Sequence, residues 1–396
     1  MSRHPRIAAR VSHTELRRRW NAVRAMMAEQ QLDTIIAQAS NDWLGGNVKW
    51  LTDIPAHNGY PRTVLFDALD PMTVIEMGPF GGRRSLYGRD DIHRGVGALL
   101  TTPSFTSIQY TGTYDADLAI ETLRHHGAQR IGLATPAGFL AGFHQRLLDG
   151  LSSATFVDVT DALDAIKAVK SPEEKELIRA AARLQDQVFA EICAFIRPGV
   201  RDIEVTAHGQ HAAQRLGSEQ GIFLGASARI GVRSPFMGRH FQSRRLKAGD
   251  HLSLLIEVNG PGGMYTEIAR TMCLGKAGQQ LLDGFAAVKE AQEHTLSLIR
   301  PGVAARDIAA AHDAYMTGRG LPPETRLYVH GQGYDMVERP LIRRDETMAL
   351  AEHMNLAVHP GYETDAIFAV ICDNYFVEAN GPSECLHATE KKIFEI

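Results

Sequence analysis

The sequence has few of the features that mark secreted, disulfide-stabilised or membrane-spanning proteins. Only four cysteines occur in 396 residues, and none forms a Cys-x-x-Cys pair with another. A disulfide framework or a cysteine zinc site is therefore not expected, and a reducing cytoplasm is the expected compartment. Apolar runs also stay well short of the roughly 18 residues that a membrane span needs.

The chain also lacks an excess of positive charge. Its 42 Lys and Arg residues are outnumbered by 46 Asp and Glu residues, which gives a formal net charge of -4. This balance offers no basic face to nucleic acids or anionic membranes, so neither is expected as a partner. Residues 1–20 are basic but contain no apolar segment of the kind found in signal peptides, and export is not expected.

Residues 1–165 show an alternation of short apolar strands and helices. The first helix is indicated by Ser12 and Glu15, whose spacing is that of a capping box. Strands are predicted at 34–37, 63–66, 72–77, 130–134 and 155–159, and helices at 116–126 and 139–151. The alternation is typical of an α/β layer domain. Trp50 lies in a polar, Gly-rich segment that is interpreted as a loop, which makes it a candidate for a ligand contact.

A second domain, residues 166–396, opens with a strong helix-start signal at 171–174. The sequence SPEE supplies a serine N-cap, a proline at the first helical position and a glutamate at the third. The string IRPGV at 196–200 then recurs at 299–303, each time between two predicted helices. Each copy leads to an apolar hairpin, the second one formed by 354–361 and 367–372. The repeat predicts a pseudo-twofold domain with a cleft where the hairpins meet.

The first hairpin carries two glutamates on either side of its turn. Two apolar runs flank the sequence GPGG at 260–263, with Glu257 before it and Glu267 after it. A Gly/Pro turn between such runs is a hairpin signal. Carboxylates in so apolar a context are costly unless they are paired, bound to a metal ion or directed at a cationic substrate. Both glutamates are therefore candidates for catalytic residues.

Further candidates lie in glycine-rich segments, where a ligand can approach the backbone closely. His330 opens the sequence HGQG, and His240 follows a loop rich in Gly, Ser and Arg. Both are candidates for catalytic residues. Arg233 and Arg239 in that loop are candidates for binding an anionic group. His359 lies in the second hairpin, where it fits either a buried structural role or a substrate contact.

From about residue 167 onward the chain resembles the pita-bread family of creatinases, prolidases and methionine aminopeptidases. The His-Gly-x-Gly motif at His330 and the doubled helix-helix-hairpin unit carry the resemblance. Residues 1–165 resemble the family's creatinase-type N-terminal domain. The resemblance implies an α/β (α+β) fold in which residues 166–396 form the pita-bread catalytic domain.

The metallopeptidases of this family hold two metal ions with two Asp, one His and two Glu residues. Alignment on the pair Arg270-Thr271 places Glu267 at the second Asp. Counting forward from Gly249 places the first Asp on Leu255, and Glu257 matches it only with a small insertion. Glutamate is longer than aspartate by one methylene, so Glu267 would intrude into the metal space.

The remaining ligand positions are only partly kept. His330 matches the motif histidine, whereas His359 and Cys372 stand where the two Glu ligands belong. This loss of negative charge implies that no dinuclear metal centre and no cofactor are present. A site for a single metal ion with soft ligands, formed by His330, His359 and Cys372, is kept as an alternative.

Within the family, the stretch 257–268 most resembles that of the ectoine hydrolases, which open a cyclic amidine. The resemblance implies a small zwitterionic substrate, ectoine or hydroxyectoine, and a product N-acetyl-diaminobutyrate. Glu267 would act as nucleophile or general base while Glu257 orients the ring. His330 or His240 would protonate the departing nitrogen.

The same resemblance implies the substrate contacts and the assembly. Arg239 or Arg233 would bind the substrate carboxylate, and Tyr265 and Trp50 would supply apolar walls, in a homodimer. The alternatives are a metal-dependent Xaa-Pro dipeptidase, a creatinase-like amidinohydrolase, a lyase acting on a sulfonium zwitterion, and a binding module without catalysis.

Overall fold

The computed structural model describes residues 9–396, which form two compact units. The first ends at Lys167, and the second is Ala168–Ile396. The predicted boundary at 165/166 falls inside the helix Thr160–Ala168, and the units divide near the end of that helix. Within the described residues, no helix combines the length and the apolar character needed to cross a membrane.

The first unit is built on a seven-stranded mixed sheet in the order β4-β5-β3-β2-β1-β6-β7. The pairs β1–β6, β3–β5 and β6–β7 are parallel, and the other pairs are antiparallel. The strands are β1 (Thr34–Ala39), β2 (Arg62–Asp67), β3 (Met72–Met77), β4 (Gly82–Ser85), β5 (Val96–Thr102), β6 (Arg130–Ala134) and β7 (Thr155–Asp158). The helices are α1 (His13–Gln30), α2 (Gly46–Thr52), α3 (Tyr114–His125), α4 (Ala141–Gly150) and α5 (Thr160–Ala168).

All five predicted strands and all three predicted helices of this unit are confirmed. At the start of α1, the Ser12 side chain accepts a hydrogen bond from the backbone N–H of Glu15 at 3.0 Å, as the spacing predicted. The sequence analysis missed β4, β5, α2 and α5. The strand β4 is short, largely exposed and charged, so it has no apolar pattern that could reveal it.

The interpretation of Trp50 as a loop residue is wrong. Trp50 lies in the helix α2, and only 2% of its side chain is exposed. The guanidinium of Arg19 lies 5.3 Å from the centre of its ring and donates a hydrogen bond to its carbonyl oxygen. The glycines before it form the start of a helix, and Val48 and Leu51 are buried beside it. Trp50 is thus a core residue of the first unit.

The second unit contains two helix pairs, each packed on one sheet. The helices are α6 (Pro172–Phe195), α7 (Asp202–Arg215), α8 (Gln279–Leu298) and α9 (Ala305–Gly318). The strands are β8 (Gly221–Arg229), β9 (Asp250–Asn259), β10 (Tyr265–Cys273), β11 (Val329–Gly331), β12 (Glu338–Leu341), β13 (Asn355–Val358), β14 (Gly361–Glu363), β15 (Phe368–Val370), β16 (Asp373–Glu378), β17 (Gly381–Pro382) and β18 (Phe394–Glu395). The sheets have the orders β18-β10-β9-β8 and β12-β11-β13-β16-β17, and β14 and β15 form a separate hairpin.

Each sheet has one face against helices and one face toward the other half of the unit. Along β9, Leu252, Leu254 and Ile256 join a core cluster with residues of α6 and α7. Because side chains alternate along a strand, Leu255 and Glu257 lie on the opposite face. In β13, Leu356 and Val358 pack in the same way in a cluster that includes residues of α9.

The two copies of the predicted internal repeat make equivalent backbone hydrogen bonds. The N–H of Gly199 donates to the carbonyl of Leu246, and the N–H of Gly302 donates to the carbonyl of Leu350, both at 2.8 Å. Both glycines have positive φ, +94° and +85°. Each IRPGV segment thus makes the same turn between two helices and pairs with the segment that leads into a central strand. The capping box at Ser171 is also confirmed, with both hydrogen bonds formed.

The predicted pairing of the second hairpin is wrong. The strand β13 pairs with β11 and β16 and not with residues 367–372. The apolar segment around Phe368 instead pairs with β14. The polar residues Asp373 and Asn374, both fully buried, begin the separate strand β16. Their side chains are hydrogen-bonded to Arg270 and Gln332 respectively, as buried polar groups generally are.

The positive φ of the two repeat glycines predicts matched losses of stability. We expect Gly199→Ala and Gly302→Ala each to lower the free energy of unfolding by about 1 kcal/mol, because an added Cβ disfavours the left-handed conformation. An added Cβ would meet no atom within 4 Å at either position, so no steric clash contributes. Urea unfolding measures the change. Gly238→Ala, at φ -67° and equally open, is the control and should leave stability nearly unchanged. An unaltered midpoint for both repeat variants would contradict this account.

Candidate active site

Glu257 and Glu267 face each other across the antiparallel pair of β9 and β10. They are direct partners in the strand register, and they are 5% and 3% exposed. Directly opposed side chains in such a pair have Cβ atoms about 5 Å apart. Two carboxyl groups are therefore held together in a buried position on the sheet face that is turned away from α6 and α7.

The second sheet brings polar side chains to the same place. His330 in β11, Ala357 in β13 and Asn374 in β16 are in register across three strands and share one face of that sheet. The backbones of Ala269 and Cys372 exchange hydrogen bonds of 3.3 and 3.4 Å, which links β10 to the start of β16. The two sheets thus meet at the glutamates, as the repeat predicted for a cleft.

His330 is held between two acceptors. Its Nδ1 lies 2.9 Å from the carbonyl oxygen of Gly331, and its Nε2 lies 3.4 Å from Oε2 of Glu267. A carbonyl oxygen can only accept a hydrogen bond, so Nδ1 carries a proton. The ring's Nε2 therefore faces the Glu267 carboxylate, close enough for a proton to pass between the two groups.

His359 lies next to His330 and is 9% exposed. The two ring centres are 5.1 Å apart, with the planes at 72°. Burial lowers the pKa of His359 to about 4, with His330 acting in the same direction and Glu267 opposing it, so the imidazole is neutral near pH 7. Arg326 donates a hydrogen bond to the His359 carbonyl oxygen at 3.2 Å, which fixes the backbone at this position.

A buried amide network supports both glutamates, and the sequence analysis did not identify it. Nε2 of Gln332 donates to Oε1 of Glu257 at 2.9 Å, and Nδ2 of Asn374 donates to Oε1 of Gln332 at 2.9 Å. Oδ1 of Asn374 in turn accepts from the backbone N–H of Glu267 at 2.7 Å. Gln332 is the variable residue of the HGQG motif, so its position in that motif was the available signal.

The surroundings separate the pKa values of the two carboxyl groups. Burial and the nearby charge of Glu267 raise the pKa of Glu257 well above 4.5, against the opposing effect of its hydrogen bond from Gln332. Burial also acts to raise the pKa of Glu267, but His359 and His330 outweigh it and lower the pKa to about 2. Glu267 is therefore the stronger acid of the pair, and Glu257 is the member that holds a proton more readily. Such divergence is typical of acid and base partners in active sites.

Cys372 is a neutral thiol in this site. Its Sγ donates to the carbonyl oxygen of Glu267 at 3.4 Å, and it is fully buried. Burial and the neighbouring carboxylates, Glu267 first among them, raise the pKa of Cys372 well above 9. A thiolate is the nucleophilic form, so Cys372 is poorly suited to attack a substrate.

The residues present do not fit a dinuclear metal centre. The cluster supplies two carboxyl groups, and Oε1 of Glu257 already accepts a hydrogen bond from Gln332. A single ion fits better, since one donor atom from each of Glu267, His330 and His359 lies within 4.8 Å of the others. These three, and not the predicted trio with Cys372, are the residues that would hold it.

Of the remaining predicted substrate contacts, Tyr265 is brought to the site. It lies two residues before Glu267 on the same face of β10 and is fully buried. Trp50 belongs to the core of the first unit, as described above. Its predicted role as a wall of the substrate site stays a prediction.

Arg233, Arg239 and His240 lie on the loop between β8 and β9 and are all exposed. Arg233 is 3.6 Å from the carboxylate of Glu363. This loop contacts the second half of the unit through Phe236, whose ring lies 5.0 Å from that of Phe368. No contact of these three side chains with either glutamate occurs among residues 9–396, so the structure does not bring them into the cluster.

Comparison with known proteins agrees with this architecture. Residues 176–379 match the model of metallopeptidase family M24. An uncharacterized hydrolase/peptidase of Sinorhizobium fredii is 26% identical over 389 residues, which is 96% of each chain. A creatinase of a Bacillus species is 29% identical over 225 residues, which covers 55% of this chain and 53% of that one.

A solved structure shares the fold over nearly the whole chain. The prolidase of Thermococcus sibiricus superposes with a TM-score of 0.78 at 15% identity, over 98% of this chain and 100% of that one. The family match covers half of the sequence and contains both glutamates, His330 and His359. The protein belongs to metallopeptidase family M24 and has the pita-bread fold of that family.

Proposed function

We propose that this protein is a metal-independent hydrolase that opens a cyclic amidine at a C–N bond, with ectoine or hydroxyectoine as substrate. The observation that carries the proposal is the pair of buried, directly opposed carboxyl groups of Glu257 and Glu267, whose pKa values diverge. Membership of family M24 supports a hydrolase, and a creatinase is among the relatives.

The charge of the pair suits an amidinium ion. An amidinium presents N–H groups on both sides of one carbon atom, and two neighbouring carboxyl groups can accept charge-assisted hydrogen bonds from both sides. The positive substrate would offset the cost of burying Glu267 as an anion and would favour ionisation of Glu257. In this arrangement Glu257 orients the ring, and Glu267 lies beside the amidine carbon.

The reaction consumes one water molecule. Glu267 either attacks the amidine carbon or removes a proton from the water that attacks it. A C–O bond forms, and one C–N bond of the ring breaks. The oxygen of water ends as the amide oxygen of N-acetyl-diaminobutyrate, and both of its hydrogens end on the departing nitrogen as part of an ammonium group. We assign the donation of a proton to that nitrogen to His330, whose Nε2 faces Glu267, in preference to the exposed His240.

The substrate carboxylate needs a cation outside the glutamate pair. We assign this role to Arg239 or Arg233, because their loop is anchored beside the site through Phe236 and their guanidinium groups are exposed. Tyr265 would form an apolar wall beside Glu267. A homodimeric assembly and a cytoplasmic location stay part of the proposal.

The assignment of Glu267 predicts a selective loss of catalysis. We expect Glu267→Gln to lower kcat at least roughly a hundredfold, because the ionised carboxylate is lost while the side-chain volume is kept. Glu257→Gln should reduce turnover less and raise KM, since the amide still hydrogen-bonds to Gln332. Ectoine turnover measured by chromatography of the acetylated product tests both.

The exposed Glu352→Gln is the matched control and should retain normal kinetics. Thermal unfolding establishes that each variant folds. Near-normal turnover by folded Glu267→Gln would remove that residue from the mechanism and refute the proposal.

The raised pKa of Glu257 predicts proton release on binding. An amidinium ion beside this carboxyl group should lower its pKa, so that a proton held in the free protein leaves when ectoine binds near neutral pH. Calorimetric titrations with ectoine, in two buffers of different ionisation enthalpy, measure the number of protons released. Glu257→Gln should abolish the release. Equal apparent enthalpies for the wild-type protein in both buffers would contradict the assigned protonation of the pair.

A second candidate function is a hydrolase that uses one metal ion. The specific observation in its favour is the closeness of donor atoms on Glu267, His330 and His359. Two imidazoles and a carboxylate are a common donor set for zinc and iron(II). Such an ion would activate water or polarise a carbonyl group when bound. Xaa-Pro dipeptidases are among the relatives of this chain, so Xaa-Pro dipeptides are the substrates to test.

Metal analysis separates the two candidates. For the amidine hydrolase, we expect substoichiometric transition metal in the purified protein and ectoine opening that persists in a strong chelator. For the second candidate, His359→Ala should lower metal content and dipeptidase activity together. One equivalent of metal with dipeptide cleavage that a chelator abolishes would refute the metal-independent proposal.

A further inference from the structure

A small cavity lies at the far end of the same two strands that carry the glutamates. It has a volume of about 230 Å³ and is lined by ten residues: Ile230, Gly231, His251, Cys273, Gly278, Gln279, Gln280, Leu281, Ala366 and Ile367. His251 and Cys273 are direct partners in the register of β9 and β10. They are six residues from Glu257 and Glu267 along each strand, which corresponds to about 20 Å. The cavity is therefore separate from the glutamate site.

His251 is a buried polar side chain without a hydrogen bond of normal geometry. It is 3% exposed, and neither ring nitrogen has such a partner among the described residues; the backbone of Val232 approaches the ring without reaching that geometry. A buried polar group without a partner is costly and uncommon in proteins. Because the ring lines the cavity, a ligand there could supply the missing partner.

The start of α8 provides a second set of donors in the same cavity. Gly278 is the N-cap of this 20-residue helix, and no side chain in the described part of the chain caps it. The first N–H groups of a helix have no acceptor within the helix, and the helix dipole favours negative charge there. Gln279 and Gln280, at this helix start, both line the cavity.

Two nearby acidic groups oppose an anion less because each is paired with a cation. Asp250 forms an ion pair with Arg244, and Glu395 forms one with Lys276. The other walls are apolar, with Ile367 and Leu281 buried on one side. A cavity with one polar end and apolar walls suits a ligand that has a polar group at one end and an apolar body.

We propose that this cavity is a binding site for a small monocarboxylate with an apolar body. The carboxylate accepts hydrogen bonds from His251 and from the backbone N–H groups at the start of α8, and the apolar body lies against Leu281 and Ile367. A metal ion is not the expected ligand, because His251 and Cys273 belong to no group of three close donors in the described residues. The thiol of Cys273 also stays protonated, since burial raises its pKa to about 11.

Benzoate is the probe for this site, and benzamide is its neutral counterpart. Calorimetric titration of the full chain should show saturable binding of benzoate and much weaker binding of benzamide. His251→Phe keeps a ring of similar size without donors and should weaken benzoate binding roughly tenfold or more, because hydrogen bonds to charged groups are the stronger ones. Glu267→Gln should bind benzoate as the wild type does, which separates this site from the glutamates.

The exposed His211→Phe is the matched control and should leave the affinity unchanged. If His251→Phe does not fold, Ala366→Phe tests the same site, because a larger side chain there fills the cavity and should abolish binding. The proposal is overturned if the wild type shows no saturable benzoate binding, or if benzamide binds equally well. It is also overturned if folded His251→Phe or Ala366→Phe binds benzoate normally.

Discussion

The burial of two opposed carboxyl groups is the constraint on which the second unit depends. Glu257 and Glu267 lie in strands whose residues are buried throughout, so water cannot stabilise their charge. The protein meets this cost by a raised pKa of Glu257, by placing His330 and His359 beside Glu267, and by hydrogen bonds from buried amides. The separation of the two pKa values follows from that compensation.

The duplicated architecture makes this compensation possible. A buried glutamine on each long helix binds its sheet: Gln185 of α6 donates to the carbonyl oxygens of Val258 and Thr266, and Gln292 of α8 donates to that of Val358. Each sheet is thus held in place on its helix, and the two sheets are joined by the backbone bridge between Ala269 and Cys372. The first sheet supplies the carboxyl groups, and the second supplies the imidazoles and amides. Neither half contains a complete site.

The sequence predicted the parts of the site that obey local rules. Glu257 and Glu267 stood out because a charged residue in an apolar strand has few explanations, and His330 stood out through its glycine-rich motif. Gln332 and Asn374 were missed, since an amide in a sequence does not reveal whether it will be buried or which group it will bind. Trp50 was placed in a loop because adjacent glycines resemble a turn, whereas here they precede a buried helix.

By itself, the sequence determined the first hairpin, the helix starts at Ser12 and Ser171, and the IRPGV repeat, because each depends on residues close together in the chain. Only the tertiary structure decided that β13 pairs with β16, that the donor atoms of Glu267, His330 and His359 lie close together, and that His240 and the loop arginines lie outside the cluster. Pairing between distant segments and the protonation of buried groups depend on neighbours that are remote in sequence. The contacts and the shifted pKa values of these buried groups arise only when the two sheets have packed together.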